Sequence, residues 1–421
     1  MDIHERVHGM LAASVVAEAL AGPHIGPPAA NGPDNYRKGG WIHQLAPYAK
    51  CSQSPFGVFP EEAPAGTLTS GSHLRLHIVQ MMCNHQKRFP GEKLSREDIA
   101  RGLCSRYQNR FNWFNRGWMK YNHMPNADRE KFRGEVRAAL TELLFWWEIA
   151  KTATRDFLPK APPMFSPPAK QATSEADNSD WEIQAASSKP VMAAATGSVF
   201  GDFYTHGAAL PIGLIAYMPL AAYFPGQPAA AFDYLSQVNG LDAGEASLHT
   251  AVMGAMLADI IAGKTWLEIR GAILEKSLDQ YIGTNSGSRL AHLESIMAAA
   301  FKISESTAGQ NIASQSQVTA FIENLRKQFG SEGNLPGSPD EVLAVTMALL
   351  DFGINQDMSH ILTAAVNYGP QSQVAPVIAC LAGAASGAKE VPTEWLISIQ
   401  EANPDIDLDR IAGELSALSA Q

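Results

Sequence analysis

Two groups of side chains in this sequence have the types and spacing that chemistry would require. The first is a single carboxylate. Apolar residues at Val7, Leu11 and Val15 recur at helical spacing, and Glu18 continues their row. A carboxylate on an inward stripe needs a charge partner or a functional reason to be there. Glu18 therefore either pairs with a nearby Arg or Lys or serves a site. The second group is Asp202, Tyr204 and His206, a polar cluster just ahead of an apolar run. Its imidazole could contact a ligand or do acid–base work, with Asp202 as the alternative to Glu18 for a catalytic carboxylate. Hydroxyls at Thr69, Ser70 and Ser72 precede another apolar run, where they either cap a helix or contact a ligand.

These groups depend on the elements that carry them, and the most informative stretch is Ala365–Val391. A polar loop broken by Gly369, Pro370 and Pro376 opens an apolar run with small residues at Ala379, Ala382, Gly383, Ser386 and Gly387. Gly383 and Gly387 stand one helical turn apart, which predicts close approach of a neighbouring backbone along that face. Val391-Pro392 is expected to stop the helix. The reading is a loop poised at the N-terminus of a buried helix, a common place for ligand contacts. Amphipathic helices are expected over residues 6–21 and near 265–281, 288–303, 315–328 and 339–352, with an acidic helical cap from Trp395. Residues 26–66 and the Pro/Ser-rich stretch 159–190 read as loops.

Four segments in order resemble the ADP-ribosylglycohydrolase family. The C-terminal one, Ala365-Val366-Asn367 followed by Ile378-Ala379 and Ala382-Gly383-Ala384, is similar to that family's Ala-Val-Asn-x-Gly-Gly-Asp-Thr-Asp-Thr stretch and the helix after it. Gly66 to Leu76 resembles Gly-x-Trp-Thr-Asp-Asp-Thr-x-Met-x-Leu. Gly201 to Gly213 resembles a Gly-x-Gly-x-Ala-x-Arg-x-x-Pro-x-Gly stretch that lines the family's cleft. Leu241–Ala246 resembles a Thr-His-x-x-x-Ala helix start, with Asp242 replacing the histidine. The resemblance implies an all-α fold, a compact multi-helix bundle over residues 1–421, with an insertion at about 85–197. It also implies a cleft whose ligand contacts would include Ser70, Ser72, His73, Tyr204, Asn367, Gln371 and Gln373.

Family members usually hold two magnesium ions between carboxylates, and here those carboxylates are missing. Gly9, Leu11 and Ala17 to Ile25 also resemble the family's N-terminal Gly-x-Leu-x-x-x-x-x-Gly-Asp-Ala-Leu-Gly-x-Pro-x-Glu stretch, with Ile25 in the place of its glutamate, and Ser70 and Gly71 take the places of two aspartates. Counting from Asn367 puts Gln371 and Gln373 at the remaining acids, and counting back from Gly383 puts Val374 and Pro376 there. Glu18 is the one anion left, where the family carries an aspartate. A hard divalent cation wants several anionic oxygens together, so no cofactor is expected and magnesium least of all. Asp242 and Glu245 read as a capping pair at a helix N-terminus.

A formal net charge of −10 argues against nucleic acid as a partner, because phosphate binding needs a basic surface. Arginines and lysines do interleave with aromatic rings over residues 85–150, and those rings read as core in preference to a base-stacking surface, with contact to a ribose- or phosphate-bearing small ligand as the sharper alternative. No stretch approaches the 18 uninterrupted apolar residues of a membrane span. Four scattered cysteines without a CxxC pair suit a reducing compartment, so a cytoplasmic location is expected. Two functions fit. One is a metal-independent enzyme acting on a ribosyl, nucleoside or other small-metabolite substrate, with Glu18, Asp202 and His206 as catalytic candidates. The other is a catalytically inactive relative that binds a small ligand or a partner.

Overall fold

The computed structural model describes residues 1–24, 41–49, 62–154, 212–242, 245–283, 288–305, 315–330, 338–354, 356–369 and 374–420. Its architecture is all-α. Apart from a two-residue antiparallel ladder pairing Tyr48–Ala49 with Glu62–Ala63, the described regular elements are helices. The insertion loop 159–190, Asp202, Tyr204, His206, Gln371 and Gln373 lie outside the described residues.

The central element is α1 (Ile3–Ala21). Asp2 caps its start by accepting from the Glu5 amide at 2.8 Å. From Gly9 to Ala21 every residue is buried, so the helix is enclosed on all sides instead of presenting one stripe to a core. Its most extensive neighbour is α15 (Val374–Ser386), which runs antiparallel to it. Glu5 lies by Gly387 and Lys389, Gly9 by Gly383, and Ser14 by Cys380. At the crossing the two backbones touch. A Cβ on Gly9 would sit 2.1 Å from the Gly383 carbonyl oxygen, and one on Gly383 would sit 2.2 Å from that of Gly9. The close approach predicted from the sequence therefore pairs Gly383 with Gly9, on a neighbouring helix. Gly387 does something else. It takes φ +88°, outside α15, and its amide bonds the Gly383 carbonyl at 2.7 Å, so the helix ends at Ser386, short of Val391-Pro392. Pro376 falls in the first turn of α15, where its missing N–H leaves no carbonyl unmet.

Around this pair stand α2 (Ser70–Arg88), α6 (Ile212–Tyr217), α8 (Glu245–Ile261), α13 (Pro339–Gly353) and α14 (Met358–Tyr368). Further out, α7 (Pro228–Val238) packs on α8, and α11 (Ser288–Glu305) packs on α13. Together with α12 (Gln315–Phe329), α11 and α13 begin and end within two residues of the spans that periodicity predicts. The single helix expected near 265–281 is two, α9 (Trp266–Glu275) and α10 (Leu278–Ile282), because Ser277 caps a new start by accepting from the Gln280 amide. The basic, aromatic stretch forms a long helical pair, α3 (Arg96–Asn122) and α5 (Arg133–Thr154), with the short α4 (Asn126–Lys131) between them. Tyr107, Phe114, Trp118, Tyr121 and Trp146 are buried there, so these rings are core and not a stacking surface. The acidic tail supplies α16 (Thr393–Ala402) and α17 (Leu408–Ser416), the latter packed on α1 and α2.

Candidate functional site

Glu18 lies in the last turn of α1 and is 6% exposed. The start of α2 packs against it so closely that a Cβ on Gly71 would fall 2.3 Å from its Oε1. One helix face then supplies its partners. Ser72 donates its hydroxyl to Glu18 Oε2, and Arg75 brings Nη2 to 3.4 Å from Oε1 and Nη1 to 3.5 Å from Oε2. Arg75 is itself 1% exposed, and its remaining donors are directed as well. Nη1 donates to Ser14 Oγ at 3.0 Å and Nε to the Ile215 carbonyl at 3.0 Å. Ser14 in turn donates to the Leu11 carbonyl. Cys380 packs against Ser14 from α15, and burial pushes its thiol above the ordinary value, so it is no ready nucleophile. The arginine partner that the sequence left open for Glu18 is Arg75.

The hydroxyls divide their roles. Thr69 caps α2 by accepting from the Ser72 amide at 3.3 Å. Ser72 therefore is not the cap, and its own hydroxyl is spent on Glu18. Ser70, the first residue of α2, is half-buried. His73, one position on, leaves this cluster and lines a cleft beside α2, with Arg106 and residues 402–406.

Asn367 is fully employed. Its Oδ1 accepts from the Ile42 amide at 2.9 Å, and Nδ2 donates to the Ile42 carbonyl at 2.7 Å and to the Thr363 carbonyl at 2.8 Å. This pins residues 41–49 to the end of α14. Arg326 closes that same helix end by donating to the carbonyls of Asn367 and Tyr368. Because α15 runs antiparallel to α1, the start of α15 lies toward the end of α1 that bears Glu18.

Asp242 reaches beyond the start of α8. It is buried, and its Oδ1 accepts from the Gly213 amide at 2.7 Å in the first turn of α6. Its Oδ2 accepts from Asn239 Nδ2 at 2.7 Å and Thr250 Oγ1 at 2.6 Å. The carboxylate ties the first turn of α6 to α8, and a Cβ on Gly213 would fall 2.1 Å from its Oδ2. Burial raises its pKa from 3.8 to about 6, against the opposing pull of those donors. The folded state therefore binds this proton more tightly than the unfolded chain. Its contribution to stability is full below pH 3.8 and is lost as pH rises through about 6. Across that window the loss is of order 3 kcal/mol. Denaturant unfolding of the protein and of the Asp242→Asn variant at both ends of the window is expected to show the parent losing stability relative to the variant as pH rises.

The signal for Arg75 was present but ambiguous. It stands in the buried row Leu74, Leu76, Ile78, Val79 and Met82 of α2, three residues after Ser72, where a lone arginine reads as easily as a solvent-facing charge. Among the described residues no group of three or more His, Cys, Asp or Glu side chains has a metal-holding arrangement. No described helix is long and apolar enough to cross a membrane.

No curated protein matches the chain. A family model described as ADP-ribosylglycohydrolase matches it over residues 1–421. With the all-helical architecture and the four ordered segments, that full-length match means the chain belongs to the ADP-ribosylglycohydrolase family.

Proposed function

We propose that this protein is a metal-independent hydrolase of its family, acting on the glycosidic bond of a ribosyl, nucleoside or similar small metabolite at the end of the bundle marked by Glu18. The observation that carries the reading is the Arg75 guanidinium, which lies against both carboxylate oxygens of Glu18. A magnesium ion would need several anionic oxygens there. Among the described residues the side chain at hand beside Arg75 is that of Ser72, Gly71 bringing backbone alone, and the guanidinium already supplies the positive charge. A fixed cation beside the carboxylate can position an anionic or hydroxyl-bearing substrate as a metal would, without exchanging with solvent.

Cleaving a ribosyl bond passes through an oxocarbenium-like state, which calls for one carboxylate to stabilise it and one acid to protonate the leaving group. Glu18 is the carboxylate assigned to this work, with Asp202 as the alternative, and His206 is the acid, while Ser70, Tyr204, Gln371 and Gln373 contact the ligand. Turnover of a panel of ribosyl conjugates and nucleosides is expected to survive a chelator. Glu18→Gln, Asp202→Asn and His206→Gln are each expected to lower kcat by about 100-fold or more. Unchanged rates in all three variants, or turnover that requires added magnesium, would reject the assignment.

One observation favours a second reading. Glu18 is 6% exposed with both oxygens engaged, as in a carboxylate kept for structure. A catalytically inactive ligand-binding relative would then show calorimetric binding of ADP-ribose or a nucleoside with no product formed.

A further inference from the structure

A cleft of about 490 Å³ lies beside α2, between that helix, α3 and the segment joining α16 to α17. Its size falls within the range of small-molecule sites. Arg106 of α3 lines it. The Arg106 Nε is buried with no hydrogen-bond partner among the described residues. Its guanidinium stacks over the Trp146 ring at 5.2 Å, which orients the planar fork without using its donors. Glu142 acts on Arg106 through space but pairs directly with Arg110 at 3.1 Å, so among the described residues Arg106 lines the cleft without an ion pair of its own.

The other walls fit one kind of occupant. Arg410 enters from α17 with Nη1 on Glu414 and no other side-chain hydrogen bond among the described residues, and Gln80 offers an exposed amide. Leu76, Ile406 and Ile411 give an apolar surface. His77 donates toward the Gly102 carbonyl at 3.3 Å and is held neutral by burial, its pKa pushed down to about 4, so it adds bulk and no charge. Asp405 stands on the same rim and repels a ligand that is anionic at both ends. Past Gln80 and Arg410 the groove continues into a second hollow of about 230 Å³ that reaches Lys87.

We infer that this cleft is a second ligand site, distinct from the Glu18 cluster, for a small molecule carrying one phosphate or carboxylate on an apolar body, with Arg106 as the bidentate anchor. A guanidinium fork matches either oxyanion through two parallel N–H donors. The inference does not rest on the proposed hydrolase activity and would stand in an inactive relative.

The test uses phenyl phosphate and benzoate as probes, titrated calorimetrically into the full chain at fixed ionic strength. At least one is expected to bind at 1:1, and the tighter of the two identifies phosphate or carboxylate as the natural group. Arg106→Gln is expected to weaken that binding by about tenfold or more, the loss of one charge-assisted pair. Arg106→Lys is expected to recover only part of it, because it keeps the charge but loses the fork. Glu18→Gln is expected to leave it unchanged. No binding of either probe, or binding indifferent to Arg106 in variants whose circular dichroism matches the parent, would overturn the site.

Discussion

Replacing Gly9 with alanine is expected to destabilise the protein by about 4 kcal/mol or more, beyond the ordinary range for a single added methyl group. The new Cβ would lie 2.1 Å from the Gly383 carbonyl oxygen and 2.6 Å from the Gly387 carbonyl carbon. Both obstacles are backbone atoms, so no rotamer change makes room. Relief would require α1 and α15 to separate along the most extensive helix–helix contact in the fold. Gly383→Ala meets Gly9 from the other side and is expected to behave alike. Gly271, within α9, is the control, because nothing lies inside 4 Å of where an alanine methyl would sit. There alanine is expected to be neutral or to stabilise by up to about 1 kcal/mol through helix propensity. Urea unfolding of the three variants checks the contrast. A Gly9→Ala protein within about 1 kcal/mol of the parent would mean the two helices are not in backbone contact.

The second large effect belongs to Arg75. Arg75→Met keeps the apolar length of the side chain but leaves Glu18 buried with Ser72 as its remaining partner at that face. Removing one half of a buried ion pair typically destabilises by about 3–5 kcal/mol, because the other charge stays desolvated and uncompensated. Adding Glu18→Gln to that background is expected to recover a large part of the loss, since it removes the stranded charge. The resulting cycle should give a coupling energy well above the roughly 0.5 kcal/mol seen for independent sites. Additive effects would separate the two residues and remove the basis for treating them as one unit.

How much of this was legible beforehand depended on how local each feature is. Helix positions followed from spacing alone. Residues 288–305, 315–329 and 339–353 carry regular apolar rows, and their ends fell within two residues of expectation. The break between α9 and α10 was missed because Ser277 caps a new start within what reads as one continuous pattern. The glycine at 383 announced close packing, but its partner Gly9 lies at the opposite end of the chain, and spacing carries no record of that. Glu18 was conspicuous as a charge in an apolar row. Its counterpart Arg75 was not, because an arginine becomes informative only once its helix is known to be buried on that side. Asn367 and Asp242 show the same limit in polar form. Each was singled out by position, and each commits part of its hydrogen bonding to distant backbone, at Ile42 and at Gly213. A buried polar group has to be satisfied by something, and the sequence names the group without naming its partner.

The fold also separates two roles that a resemblance alone would merge. Ser72 and His73 are consecutive, yet one is sealed against Glu18 while the other opens onto the cleft of Arg106. Neighbouring positions on a helix point about 100° apart, so a stretch that matches a family motif does not deliver all its side chains to one place.

Magnesium binding to the intact protein tests the central claim most directly. Equilibrium dialysis against millimolar magnesium, followed by elemental analysis, is predicted to leave no stoichiometric metal on the chain, since the guanidinium of Arg75 fills the ground beside Glu18 that a cation would need. One or two magnesium ions retained per chain, and released by Glu18→Gln, would contradict it.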